Sequence, residues 1–330
     1  MSYNSESVLP KAVALVQIRD IVGLLGYKNI NDSLDVPGRI GSYFWYEEKD
    51  YHSYVGVELD IYRVSSGRIT LTTRSRAGRS YWDLTQQNKT LKLIRDLLGG
   101  DFTTDAGRNR YWRPDGPPPP PLSSGCFIAR WRFHNALGRA RVYLTSRKFQ
   151  GTIALEASSG LDFMDELNPR LLSNNFLLPY VVAIWEEYFR STFAAALTYT
   201  KDREAVLRRA RLSHEHLEQV ILESQLIARV VADSFSFQRP SSIAEAFRLL
   251  DRKLDLAAAM RKPYRRRRTS LFDSIEALIE DRNRFVHTGR TNLKFFDTEL
   301  NSALSDIEVA VNRAYECVAA HYRFAPSHDY

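Results

Sequence analysis

The stretch Leu278 to Gly289, LIEDRNRFVHTG, carries an arginine, an asparagine directly after it, and a histidine five positions beyond the arginine. An imidazole exchanges protons near neutral pH, and a guanidinium takes phosphate oxygens with two parallel N–H bonds. An amide can orient either group or a ribose hydroxyl. Arg282, Asn283 and His287 are thus the parts for attack by a ribose 2′-OH on its own phosphate, chemistry that needs no metal. His287 lies four residues after Asn283, one turn along the same helical face. The bland alternative is that Arg282 pairs with an interior acid such as Glu186 or Glu187, and that His287 merely complements the negative end of a helix.

The element that must carry these groups is SLFDSIEALIEDRNRFVH, with Ser270 as a plausible N-cap and Asp273 in the first turn. Its apolar stripe runs Leu271, Ile275, Leu278 and Phe285, joined by Phe272, Ile279 and Val286. Position 282 falls inside that stripe, so its guanidinium must be paired or face a cleft, because an unpaired buried charge costs several kcal/mol. Gly289 lets the chain leave the helix. Further helical patterns cover 176–200, 202–232, 241–260 and 295–323, which predicts an all-helical bundle over residues 161–330.

Residues 1–160 read as an α+β domain. An opening helix is predicted over Leu9 to Gly26, and strands in SYFWY, SYVGVELDIYRV and GRITLTTRS, where Val55, Val57, Leu59 and Ile61 alternate with polar neighbours. A second helix, Asp83 to Leu98, opens on a capping pair of Asp83 with Gln86. The run PDGPPPPP at 114–121 forms a stiff connection that is not read as a domain boundary. Alternation at Phe127, Ala129, Trp131 and Phe133, then at Ala140, Val142 and Leu144, and the run GTIALEAS predict more strand.

The RN-x-x-x-H block of Arg282, Asn283 and His287 resembles the signature of the HEPN superfamily, and VVAIWEEYFRSTF is similar to the first helix of its domains. The resemblance covers roughly residues 170–325. It implies that residues 161–330 are a catalytic HEPN-like bundle; residues 1–160, the α+β domain, match no family, and a sensor, RNA-positioning platform or inhibitory cap is expected of them. It also implies a metal-independent endoribonuclease that leaves a 2′,3′-cyclic phosphate and a 5′-OH, acting in abortive-infection defence or as a toxin-like stress response. The partners it implies are RNA, a second copy of the chain that completes the active site, and an activator derived from phage or nucleic acid. A catalytically silent module that binds RNA or protein is the alternative. Toxins silenced by tyrosine modification carry Tyr two residues after the histidine; here that residue is Gly289.

Composition narrows the classes. The chain has 330 residues, 44% of them hydrophobic and 26% charged, and no run of about 18 uncharged apolar residues to suggest a membrane span. The N-terminus lacks a basic region followed by an apolar core, so a cytoplasmic location is expected. Cys126 and Cys317 are far apart, against a disulfide framework, and His214 and His216, two apart, fall on different helix faces, against a shared metal. No cofactor is expected. The net charge of +7 arises in residues 1–160, which hold 22 Lys+Arg against 15 Asp+Glu, whereas 161–330 hold 24 of each. The candidate phosphate contacts are Arg265, Arg266, Arg267, Arg268 and Arg284 near the Arg–His pair, and Arg74, Arg76 and Arg79 beside Tyr81 and Trp82. The basic first half leaves room for a DNA-binding regulator, but no helix-turn-helix is evident.

Overall fold

The computed structural model describes residues 2–30, 36–64, 67–147, 156–201, 203–221, 227–326 and 330. The chain divides into two compact units, Met1–Ser124 with Ser327–Tyr330, and Gly125–Pro326. The division therefore falls just after the proline run, and not near residue 160.

The first unit is built on an antiparallel sheet of β1 (Tyr3–Val8), β2 (Lys28–Asn29), β3 (Arg39–Trp45), β4 (Val57–Arg63), β5 (Ile69–Ser75), β6 (Asp101–Thr104) and β7 (Gly107–Arg108), in the order β2-β3-β4-β5-β1-β6-β7. The alternation of Val57, Leu59 and Ile61 sends all three into the core, with Leu59 opposite Thr73 and Ile61 opposite Leu71. Helices α1 (Leu15–Leu24) and α2 (Tyr81–Leu98) cover that face with Ile18, Ile21, Val22 and Ile94. The predicted opening helix is shorter than expected and is preceded by β1, a central strand that the sequence conceals. Its buried positions are Ser5 and Ser7, and Ser5 shares a 2.6 Å hydroxyl contact with Thr73, so polar groups occupy the places where apolar alternation would have signalled a strand.

Helix α2 is capped three residues earlier than predicted. The Ser80 hydroxyl accepts from the Asp83 amide at 2.9 Å, and the Asp83 carboxylate accepts from the amides of Ser80, Tyr54, Val55 and Gly56 at 2.9–3.2 Å. Burial raises the Asp83 pKa against these bonds. Gly56, at φ 73°, is required there because a Cβ would lie 2.5 Å from the Phe44 ring and the Trp45 carbonyl.

The strands expected after residue 126 are a single helix, α3 (Pro121–Arg147), opened by a proline at its first position. Phe133, Leu137, Ala140 and Leu144 are buried at a 4-3-4 spacing, whereas Val142, which the alternation counted as core, is 69% exposed. The first five residues of GTIALEAS lie outside the described residues, and the last three are not in a strand. Beyond it the unit consists of α4 (Asp162–Glu166), α5 (Pro169–Tyr199), α6 (Glu204–Arg209), α7 (His214–Ile221), α8 (Ile227–Asp233), α9 (Pro240–Leu250), α10 (Leu256–Arg261), α11 (Leu271–Thr288) and α12 (Asp297–Tyr322). The core gathers Trp185, Tyr188, Phe189 and Phe193 of α5 with Phe247 of α9 and Tyr315 of α12. Helix α5 runs through Pro179, which has no N–H for the Asn175 carbonyl four residues back. At that turn the Asn175 side chain holds the segment after α11: its oxygen accepts from the Asn292 amide at 2.9 Å, and its nitrogen donates to the Leu171 and Asn292 carbonyls at 2.9 and 3.3 Å.

Candidate functional site

Helix α11 begins as predicted, with the Ser270 hydroxyl accepting from the Asp273 amide at 3.2 Å. It ends where Gly289, at φ 68°, returns its N–H to the Phe285 carbonyl at 2.9 Å. Leu271, Phe272, Ile275, Leu278 and Ile279 are buried, and the stripe then thins out, so that Arg282 and Asn283 are half-buried and His287 is exposed in the last turn.

Arg282 donates from Nη1 to the Asn283 side-chain oxygen at 2.9 Å, and Gln238 donates to the same oxygen at 3.3 Å. Gln238 is itself held, since the Trp185 indole N–H bonds its carbonyl at 2.9 Å. The Arg282 Nε is buried and has no acceptor among the described residues. A donor left this way costs about 1–3 kcal/mol.

Neither expected acid closes on Arg282. Glu187 is taken by Arg229 at 2.9 Å, by Arg190 at 3.1 Å and by the Ser191 hydroxyl at 2.7 Å. Burial works against its charge, and these partners outweigh burial and lower its pKa. Glu186 stays 3.9 Å from Arg190, and burial raises its pKa while Arg190 and Arg282 act against the rise from a distance. On a helix of 100° per residue, Arg282 and His287 diverge by about 140°, whereas Asn283 and His287 lie within about 40° of each other. His287 has no hydrogen bond or ion pair among the described residues. Phe285, about 160° round the helix from His287, meets Phe176 of α5 edge-on at 5.2 Å; Phe176 is 63% exposed, and Val286, next to His287 in the chain, is 47% exposed.

The basic candidates separate. Arg284 is exposed and 3.4 Å from Asp281. Arg265 to Arg268 precede α11, and the helical rise puts Leu271 about 24 Å from His287. Nearness in sequence is therefore not nearness in space. Within the run, Arg267 is bidentate to the buried Asp306, and Arg265 and Arg267 lean on the Tyr264 ring at 4.9 and 5.0 Å. Arg265, Arg266 and Arg268 are exposed. In the first unit Arg74 is exposed, and Arg76 bonds Glu58 at 2.8 Å. Arg79 is 4% exposed, lies 3.7 Å over the Tyr3 ring and bonds Ser75 and the Tyr330 carbonyl. It is a core group and not a phosphate contact, because aromatic packing rather than solvent surrounds it. His214 pairs with Glu218 at 3.2 Å, and His216 with Ser213. Burial pushes the Cys126 thiol up to about 12.

A second Arg–His constellation, which the sequence reading missed, joins α3 to α12. Arg130 donates to Asn312 at 2.9 Å, His134 lies 3.2 Å from the same oxygen and 3.4 Å from Glu308, and Arg141 also bonds Glu308. Burial, then Arg130, lowers the His134 pKa, and the hydrogen bond from Arg141 lowers that of Glu308. Gln238 was missed as well, and nothing in SFSFQRP marks it. Comparison of the chain with protein-family models, curated proteins and solved structures returned no match.

Proposed function

We propose that the second unit is a HEPN-like, metal-independent endoribonuclease. The observation that carries this reading is that Arg282 has no acid partner among the described residues and bonds Asn283, its neighbour in the chain, on the helix that also bears an exposed, unpartnered imidazole. Its Nη1 fixes the Asn283 amide one turn below an unpartnered, exposed imidazole. In the reaction His287 removes the 2′-OH proton, O2′ bonds to phosphorus, and the P–O5′ bond breaks as O5′ takes a proton. Arg282 and the Asn283 NH₂ balance the charge that gathers on the equatorial oxygens. The products are a 2′,3′-cyclic phosphate and a 5′-OH.

One chain supplies one imidazole, and its Arg and His diverge, so a second copy is needed to provide the acid and to converge the groups. The last turn of α11, where His287 and Val286 are exposed, is the surface such a copy would cover. Antiviral abortive infection or a toxin-like stress response is the setting that the resemblance implies. The test is incubation with RNA in chelator, followed by analysis of the ends. Cleavage should persist, leave the cyclic phosphate and fail on a 2′-deoxy scissile position; strict Mg²⁺ dependence or 5′-phosphate ends would overturn the mechanism.

A further inference from the structure

We infer that the exposed side of α3 is the track that holds the RNA backbone on its way to the Arg282–His287 site, an inference that rests on the ribonuclease reading above. Helix α3 contains Arg130, Arg132, Arg139, Arg141, Arg147 and His134, and no Asp or Glu in 27 residues. Three of these arginines serve the fold: Arg130 binds Asn312, Arg141 binds Glu308, and Arg147 binds Asn174 and Asp297. Arg132 and Arg139 are different. Both are exposed, and neither has a hydrogen bond or ion pair among the described residues. Seven residues separate them, so they stand about 10 Å apart on one face.

The packing puts that face beside the site. On α5, Phe176 and Tyr180 lie one turn apart: Phe176 meets Phe285 of α11 at 5.2 Å, and the Tyr180 hydroxyl donates to the Ala136 carbonyl of α3 at 2.9 Å. Helices α3 and α11 therefore both reach the same stretch of α5. Arg132 and Arg139 sit one turn to either side of Ala136, and Asn283 and His287 are within one turn of Phe285 along the axis of α11, on the side turned away from it. The helical wheel puts Arg132, Arg139 and Tyr143 within about 60° of Ala136, on the α5 side, while Arg130, His134 and Arg141 turn to α12. The carboxylates of this stretch have partners of their own, since Glu187 is held by Arg229 and Arg190, Glu308 by Arg141 and His134, and Glu186 stands nearest Arg190.

Two free guanidiniums beside a reactive site, with no carboxylate on their own helix, suit the non-bridging oxygens of phosphates upstream or downstream of the scissile one. Such contacts are indifferent to base sequence and sensitive to salt. The strand crosses the exposed side of α5, and the Arg265 to Arg268 run, at the far end of α11, lies off this path.

The test combines Arg132→Gln with Arg139→Gln. In a His287→Ala background, fluorescence anisotropy with a single-stranded oligoribonucleotide across a salt series should show weaker binding. The log–log salt slope should flatten by about 1.4, the loss of two contacts at 0.7 each. In the otherwise wild-type chain, kcat/KM for long RNA should fall while cleavage of a dinucleotide, too short to reach α3, stays unchanged. Thermal melting should match the parent, because both side chains are exposed. If the wild type cleaves RNA but the double variant keeps the salt slope and kcat/KM, the track is overturned and the ribonuclease reading stands. A wild-type chain that neither binds nor cleaves RNA overturns both. Binding to anionic phospholipid vesicles that needs Arg132 and Arg139, without RNA binding, also overturns the inference, since the face would then serve a lipid surface.

Discussion

The two Arg–His constellations of the second unit use the same residue types to opposite ends. Between α3 and α12, every group has a partner: Arg130 and His134 share Asn312, and His134 and Arg141 share Glu308. On α11, Arg282 has no acid partner among the described residues and His287 stands in solvent, although the Glu186 carboxylate acts on Arg282 from a distance. The first arrangement is what stability selects. The second leaves a guanidinium without an acid and an imidazole in solvent, which is how groups waiting for an anion should look. A motif of types and spacing cannot separate the two; the bonds already made can.

The contrast breaks most sharply at the histidines. His287→Ala should lower RNA cleavage about 10²- to 10⁴-fold with stability within about 0.5 kcal/mol of the parent, and Arg282→Lys should fail too for want of the planar fork. His134→Ala should cleave normally and lose about 1 kcal/mol in urea unfolding, a figure reduced for partial exposure. Equal cleavage by the parent and His287→Ala would erase the distinction.

The next effect sharpens the comparison within one basic run. Arg267→Gln strips the buried Asp306 of its bidentate partner and should cost about 2 kcal/mol, less than a fully buried pair because Arg267 is partly exposed. Gln at Arg265, Arg266 and Arg268 together should leave the melting temperature within error. Similar losses in the two variants would mean that the run behaves as a unit.

The smallest effects are in pH. Burial raises the Glu186 pKa above the ordinary 4.5, so the folded chain holds a proton that the unfolded chain releases, and stability is lost as pH climbs through that window. Glu186→Gln should therefore stabilise at neutral pH, with the gain vanishing below the ordinary carboxyl range. His134 has the opposite sign of linkage. Its pKa is lowered from 6.5, protonation is penalised in the folded state, and stability falls as pH drops below the ordinary value. His134→Gln should flatten that acid limb. Unfolding midpoints measured against pH in both variants check the two signs, and matching slopes would contradict them.

Much of the helical half was legible because its apolar stripes run at 3.6-residue spacing, as on α11, where the cap at Ser270 and the stop at Gly289 also lie where the sequence put them. Two errors have physical causes. Alternation from Phe127 to Phe133 also satisfies a helix with a wide buried face, and only the 4-3-4 run through Leu137, Ala140 and Leu144 separates the two. In β1, paired hydroxyls replace the apolar signal. The Arg282–His287 pair could be read from residue types, but Gln238 comes to Asn283 through tertiary packing, which local pattern does not encode.

Between α11 and α12, the Asn175 side chain grips the Asn292 amide and carbonyl at the turn where Pro179 leaves a helical carbonyl unserved. Connecting segments usually absorb insertions and deletions freely. This one is measured against a fixed peg: one residue added between Gly289 and Asn292 would carry the peptide out of Asn175's reach and uncouple the end of α11 from α5. The length of that short connection is thus constrained more tightly than its composition, and lineages of this chain should vary there by substitution and not by indel.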